Sequence, residues 1–509
     1  MKIRKIAYKP SPLIMFIDLM IVTSVIIGAL LFVPLTTAIP FEKYTPVSLI
    51  YLLIWFIVSY GFKRYKPLKR NKYFKSLARF ALSVVVTSAA MLIIDKLFPD
   101  SNYSFPFFIF IALSSFLFHI IVYFIYFSFR YAVEYTDPGV LKNIESAPVV
   151  LANNGEIHRI PEQLKKKLLD VTERNVMEWI ELQLLMNNDN TFVVSGNADA
   201  SFEAAKHDFT NILILKPLNW VPSINSLFYA ANQQLKQQSG ALICCFEQKN
   251  TRKQRILTHY LPVWRWVVYF NDFVIRRFLP KLLLGRRLYY QIFRNEYRIL
   301  HKTEVIGRLN YLGFSTIKTK KINGLVYIVA AKERHLKRKP QARIYGTLIK
   351  LRRIGKNGHP MIIYKFRTMY AYSEFAQEYI YRTHQLQEGG KFKKDIRVSS
   401  WGKFMRRYFI DELPMLWNIL KGKMKLVGVR PISKHYLGLY TKELQQLRKR
   451  HKPGMLPPFY ADLPKTLEEI QHSEYKYLKS CEEKGVLATD FQYFFKIIYN
   501  IVFKNATSA

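Results

Sequence analysis

Three cysteines, Cys244, Cys245 and Cys481, are all that 509 residues contain. This excludes a disulfide framework, and no pair has metal-ligand spacing. Cys244 and Cys245 stand side by side in an apolar run and read as small buried hydrophobes, in keeping with a reducing compartment. Acidic residues are scarce as well: 36 Asp and Glu face 77 Lys and Arg, leaving a net charge of +41. Such an imbalance calls for anionic partners, whether nucleic acid, anionic lipid or phosphorylated substrates. The middle of the chain has no G-x-G-x-x-G, the loop that cradles a dinucleotide.

Apolar and aromatic residues are abundant: half the chain is hydrophobic, with 37 Phe and 33 Tyr. Four apolar segments, 13–35, 47–62, 77–98 and 105–127, approach the length of about 20 residues that spans a bilayer. Asp18 and Asp95 interrupt the first and third, and Asp18 is expected inside a helix bundle in a packing role. A cleaved signal peptide competes for the first segment, but Thr36-Thr37-Ala38 is a weak cleavage pattern and further spans follow. Lys2, Arg4, Lys5 and Lys9 precede the first span, and seven basic residues crowd positions 63–75. The loops at 36–46 and 99–103 carry almost none. Both ends of the bundle are therefore expected on the cytoplasmic side, with everything after Arg130. Because many of the cations cluster beside the spans, nucleic acid is not expected as a partner.

Downstream, β-rich runs at 148–152, 191–195, 211–215, 241–246 and 325–330 alternate with helical patterns such as 161–171 and 176–185. The alternation predicts a parallel, Rossmann-like sheet. SLFYAANQQLKQQSGALICCFE weakly resembles the later part of a class I methyltransferase fold. Without the glycine loop, a scaffold or regulatory role is favoured. Residues 261–284 are apolar but broken by Arg265, Asp272, Arg276, Arg277 and Lys281, too charged for a span. An interfacial amphipathic helix and a buried helix of the α/β region both remain open. Phe491, Phe494, Phe495, Ile498, Ile501 and Val502 mark one face of a last helix, either lying at the bilayer interface or docked on the protein.

The densest chemistry lies in DELPMLWNILKGKMKLVGVRP, residues 411–431. Leu413, Leu416, Trp417 and Leu420 repeat at helical spacing, Pro414 falls in the first turn, and Gly422 suits the stop. Asp411 is placed at or near the N-cap, with Glu412 just inside. Capping explains such a pair; so does a carboxylate nucleophile acting on phosphorus. The second reading needs cations, and Arg352, Arg353, Lys356, Lys365, Arg367 and Arg430 supply them. Residues 354–358 read as a hairpin turn around Asn357-Gly358. The following strand, 361–366, sets Lys365 and Arg367 on one face. The polar stretch 371–394 is expected to cover the site, and Asp395 either pairs with Arg397 or binds metal.

RRIGKNGHPMIIYKFRTM, DIRVSSWGKFMRR, DELPMLWNILKG and LVGVRP, in that order, resemble the bacterial sugar transferases, the polyprenyl-phosphate sugar-1-phosphate transferases. The likeness covers about the last third of the chain. It implies that Asp411 is the catalytic nucleophile, with Glu412 beside it. It also implies that Mg²⁺ is required, held by Asp411 and Glu412, and that Arg353, Lys365, Arg367 and Arg430 hold substrate phosphates. The substrates implied are a nucleoside diphosphate sugar and polyprenyl phosphate at the bacterial inner membrane, and a homo-oligomer is allowed. The family's long apolar re-entrant helix is replaced here by KERHLKRKPQARIYGTLIKL, Val429 stands where the family usually has Pro, and KPGMLPPFYAD replaces its next segment. These departures motivate the competing reading of a catalytically silent membrane scaffold for polysaccharide assembly. The expected organisation is multi-domain: a four-helix transmembrane domain (1–135), an α/β Rossmann-like domain (145–335) and an α+β membrane-associated catalytic domain (336–509).

Overall fold

A computed structural model describes residues 10–32, 41–66, 73–97, 105–134, 162–183, 190–194, 209–281, 298–384 and 395–504, apart from positions 171, 238, 239, 263, 342 and 344, together with 285, 289 and 291–293. The expected strand at 148–152, the basic N-terminus, the loop at 99–103, positions 36–40 of the loop at 36–46 and positions 385–394 of the 371–394 stretch lie outside the described residues. The chain divides into two compact units, Met1–Glu134 and Tyr135–Ala509.

The described residues of the first unit form four helices: α1 (Pro12–Phe32), α2 (Phe41–Gly61), α3 (Tyr73–Leu97) and α4 (Phe105–Glu134). Helix α1 packs on α2 and α4, and α3 packs on the same two. Pro12–Leu31, Ser76–Ile94 and Phe107–Phe129 are long and apolar enough to cross a bilayer, while the apolar stretch of α2, Thr45–Gly61, is shorter. Among the described residues, three candidate spans mark a multi-pass membrane protein, and the fourth expected segment forms the shorter apolar helix. Apolar side chains also cover the outside, as with Phe16, Ile57 and Leu117, which suits a lipid solvent. The inside holds a polar knot. Asp18, 2% exposed, accepts from Trp55 Nε1 at 3.1 Å and Tyr65 OH at 2.7 Å on one oxygen. Its other oxygen accepts from Arg64 and lies 2.7 Å from His119 Nε2. The interior position expected for Asp18 is thus observed.

The second unit contains a five-stranded sheet in the order β1-β2-β3-β5-β4. β1 (Thr191–Val194), β2 (Asn211–Ile214) and β3 (Ala241–Glu247) run parallel. β4 (Phe314–Ile322) and β5 (Leu325–Lys332) form a hairpin, with β5 antiparallel to β3. The parallel expectation therefore holds for three strands and gives way at the hairpin, which turns on Asn323 and Gly324, both at positive φ. β4 escapes the sequence pattern because its FSTIKTKKI is lysine-rich, which suits an edge strand. Adjacent positions on β3 send Cys244 and Cys245 into the two opposite cores of the sheet.

Helices Ile224–Gln234 and Lys302–Tyr311 cover one face through Leu227, Phe228, Ile306 and Leu309. Ala376, Tyr379, Ile380 and Ile396 join that same core. The described part of the 371–394 stretch, 371–384, is thus packed into this core: Ala376 and Ile380 fall at helical spacing, and both are fully buried. Helix Trp264–Phe273 buries Tyr269 and Phe273 but exposes Trp264, Val267 and Phe270. Its acidic residue is paired within the fold, since Asp272 accepts from Arg252 at 2.8 Å.

A second hairpin, β6 (Leu348–Ile354) and β7 (Pro360–Phe366), turns at Asn357 and Gly358, as the sequence indicates. Beyond it β8 (Lys425–Val427) pairs in parallel with β9 (Gly454–Leu456). Their backbones touch where a Cβ on Gly454 would lie 2.1 Å from Gly428 N. The last helix, Val486–Phe503, turns Tyr493, Ile497 and Asn500 inward, and Asn500 Nδ2 donates to the Tyr460 and Ala461 carbonyls at 3.0 and 2.7 Å. Phe491, Phe495 and Phe503 remain exposed.

Candidate active site

The acidic pair sits in a 3₁₀ helix, Ile410–Met415, that leads into a short α-helix, Leu416–Leu420. The N-cap is Phe409, in the left-handed conformation with φ 59°, so Asp411 is one residue inside the turn and does not cap it. The apolar repeat is also turned around. Met415 and Asn418 point inward, leaving Leu413, Leu416, Trp417 and Leu420 exposed. Asn418 decides this: its Nδ2 donates to the Ile362 carbonyl at 2.7 Å and its Oδ1 accepts from Tyr364 N at 3.3 Å, stapling the helix to β7.

That staple brings β7 against the acidic pair. Lys365 Nζ donates to Glu412 Oε1 at 2.6 Å, and Arg430 Nη2 approaches the same oxygen at 3.8 Å. Glu412 is 2% and Asp411 5% exposed. Asp411 Oδ1 is buried with no hydrogen-bond partner. Burial pushes the Asp411 carboxyl above the usual carboxylate range; Lys365 opposes the rise and the neighbouring Glu412 adds to it. Burial likewise holds the Lys365 amine below its ordinary value, against the pull of Glu412.

Asp411, Glu412, Arg353, Lys365, Arg367 and Arg430 all line one cavity of about 940 Å³. Lys365 and Arg430 reach the acidic pair, whereas Arg353 donates to the Arg352 carbonyl at 2.8 Å. Arg367 lies at another wall, donating to the Gly346 carbonyl at 3.0 Å with its guanidinium 4.9 Å from the Tyr345 ring centre. Asp395 accepts from Arg397 in a two-pronged pair at 2.9 and 2.8 Å, the pairing that the sequence allows.

Two contributors were not singled out from the sequence. Arg406 lines the cavity, and its Nε donates to Thr368 Oγ1 at 3.0 Å. It lay within the quoted DIRVSSWGKFMRR, five positions before Asp411. Gly402 makes its approach feasible, since a Cβ there would lie 2.0 Å from the Thr368 carbonyl oxygen. Arg448 acts from behind: it pairs with buried Glu474 and donates to the Arg430 carbonyl at 2.5 Å, and no local signal reveals that link.

Among the described residues no group of three or more His, Cys, Asp or Glu side chains is placed to hold a metal. A pair of adjacent carboxylates with one unpartnered oxygen fits Mg²⁺, which commonly binds through one or two carboxylates plus substrate phosphates and keeps several waters.

Residues 339–504 match the sequence model of the bacterial sugar transferases. This region is what the chain shares with the bacterial sugar transferases. The matched span contains the whole acidic pair, both hairpin strands and every cation of the cavity. The chain is also similar to the uncharacterized sugar transferase EpsL of Bacillus subtilis, 39% identical over 103 residues, 20% of this chain and 45% of that protein. The UDP-N-acetylgalactosamine-undecaprenyl-phosphate N-acetylgalactosaminephosphotransferase of Aeromonas hydrophila is 34% identical over 138 residues, 25% of this chain and 30% of its own. The undecaprenyl-phosphate galactose phosphotransferase of Salmonella typhimurium is 37% identical over 118 residues, 22% and 24% of the two chains. The chain thus spans less than half the length of each of these relatives.

Proposed function

We propose that the protein transfers a sugar-1-phosphate from a nucleoside diphosphate sugar to polyprenyl phosphate, priming exopolysaccharide, capsule or O-antigen synthesis. The observation that carries this reading is Asp411: buried, carrying an unpartnered oxygen, and set among cations in a large cavity. Its carboxylate oxygen attacks the sugar-bearing phosphorus. One P–O bond forms as the P–O bond to the nucleoside monophosphate breaks, leaving a phosphosugar ester on Asp411. The phosphate of the polyprenyl acceptor then attacks the same phosphorus and frees the carboxylate. Lys365, Arg406 and Arg430 offset charge nearest the reacting atoms, with Arg353 and Arg367 further out, because phosphoryl transfer depends on positioning and charge stabilisation. Glu412 orients Lys365 and, with Asp411, would hold Mg²⁺, which supplies further charge neutralisation to the diphosphate.

The architecture proposed with it is a transmembrane domain at 1–135, a Rossmann-like domain at 145–335 and a catalytic domain at 336–509, facing the cytoplasm at the bacterial inner membrane. Exposed Leu413, Trp417, Leu420 and Phe491 support a catalytic region that lies against lipid. Incubating the purified protein with a panel of nucleotide sugars, Mg²⁺ and a short polyprenyl phosphate should yield a lipid-linked sugar diphosphate and a nucleoside monophosphate. No product with any donor would leave the scaffold reading standing.

A further inference from the structure

The large cavity has a neighbour. A second cavity of about 230 Å³ adjoins it, and Arg367 and Met369 line both. One wall comes from the family-matched region through Tyr370 and Ser400. The other comes from the five-stranded region, which the family match does not cover, through Lys249, Arg277 and His301. Along the chain, Lys365 and Met369 are four residues apart, at most roughly 14 Å. A single extended ligand can therefore reach from the acidic pair into this second chamber.

Its chemistry is basic and aromatic. Arg277 donates to Ser400 Oγ at 3.0 Å and to Tyr269 OH at 3.2 Å, and its guanidinium lies 5.1 Å from the Phe273 ring centre. These partners are neutral, so they leave its charge uncancelled. The acidic residue in the lining, Glu304, is already held by Arg308 through bonds of 2.6 and 3.1 Å. Lys249 Nζ donates to Tyr370 OH at 3.2 Å, and Tyr370 stacks on His301 at 4.0 Å with 7° between the ring planes. The result is a flat aromatic surface beside two cations. The volume falls below the ~300–1,000 Å³ that usually encloses a whole small-molecule ligand. The chamber therefore suits part of a ligand whose remainder lies next door.

We propose that this chamber receives the nucleoside monophosphate end of the nucleotide sugar, so that the middle α/β region forms one wall of the donor site. The inference rests on the transfer reading above. It gives that region a task for which it needs no glycine-rich loop of its own: its cations and rings recognise a nucleotide whose reacting phosphate is handled at Asp411. The free nucleoside monophosphate, as leaving group, binds the same place.

The same anionic chemistry would be offered by the acceptor's phosphate, and kinetics separate the two. Full-length wild type, Arg277→Gln and Lys249→Gln would be compared for donor KM, polyprenyl phosphate KM and inhibition by uridine monophosphate. The expected result is a rise of tenfold or more in both donor KM and the inhibition constant, with acceptor KM unchanged and kcat within about twofold. Variants that melt like wild type yet keep its donor KM would overturn the assignment, as would a rise confined to acceptor KM. Calorimetric titration with uridine monophosphate reads the chamber without turnover: binding should weaken tenfold or more in Arg277→Gln, and equal binding would also overturn it. Failure of the transfer reading is distinct, because it shows as absent product while nucleotide binding persists.

Discussion

Asp18 and Asp411 are both buried carboxylates, 2% and 5% exposed, and the chain surrounds them in opposite ways. Asp18 has both oxygens filled twice over by Arg64, Trp55, Tyr65 and His119. Asp411 has one oxygen left without a partner, although Lys365 stands beside the next residue and Arg406 lines the same cavity. A buried charge that is fully paired holds helices together and has no capacity left for chemistry. A buried charge left half-paired is costly, and on the proposed reaction that cost is the price of a nucleophile whose oxygen is free to attack.

If that contrast is right, the two positions should fail differently. Asp411→Asn should lower transfer by roughly 10⁴-fold or more, the scale seen when a covalent nucleophile is lost, with the melting temperature at least that of wild type. Asp18→Ala should do the reverse, lowering stability by about 3–5 kcal/mol because Arg64 would stay buried without its counter-charge, while turnover per folded molecule is retained. Denaturation in detergent alongside the transfer assay reads both. A fully active Asp411→Asn enzyme would erase the distinction.

Smaller changes sharpen it. Lys365→Met removes the ammonium 2.6 Å from Glu412 and should cost about 10²-fold in kcat/KM, comparable to losing one preorganised charge donor. Arg430 is 3.8 Å from Glu412 and its side chain is 37% exposed, so Arg430→Gln should cost only about tenfold, seen mainly in donor KM.

The pH dependence follows from burial at Asp411. Its carboxyl is raised in the folded protein, so folding favours the protonated form. The burial cost is absent below the ordinary Asp pKa of about 3.9 and present in full above the raised folded value. Any stability advantage of Asp411→Asn should therefore be largest near neutrality and shrink as pH falls through that window. The acid limb of kcat/KM should lie above the ordinary Asp value for the same reason. A limb at or below it would contradict the burial account.

Much of this site was legible from residue order because its parts are local. Asn357-Gly358 specifies its own turn, period two places Lys365 on β7, and the acidic pair is contiguous. What escaped depends on long-range packing. The Leu413–Leu416–Trp417–Leu420 repeat has the spacing of a core-facing helix, yet Asn418 claims the inward face through two backbone bonds that a spacing rule does not register. β4 is polar because it is an edge, so alternation was absent where a strand exists. Tyr379 and Ile380 belong to a core that lies elsewhere in the sequence, and Arg448 reaches Arg430 only because Glu474 fixes it.

The central claim is that Asp411 carries the sugar phosphate, and the direct measurement is the intermediate itself. Wild-type protein, incubated with nucleotide sugar and Mg²⁺ but no lipid acceptor, should release nucleoside monophosphate. Mass spectrometry should then find the mass of a sugar phosphate on the peptide containing Asp411, lost again when polyprenyl phosphate is added. An adduct mapped to another residue, or transfer that proceeds undiminished in Asp411→Asn, would contradict the account.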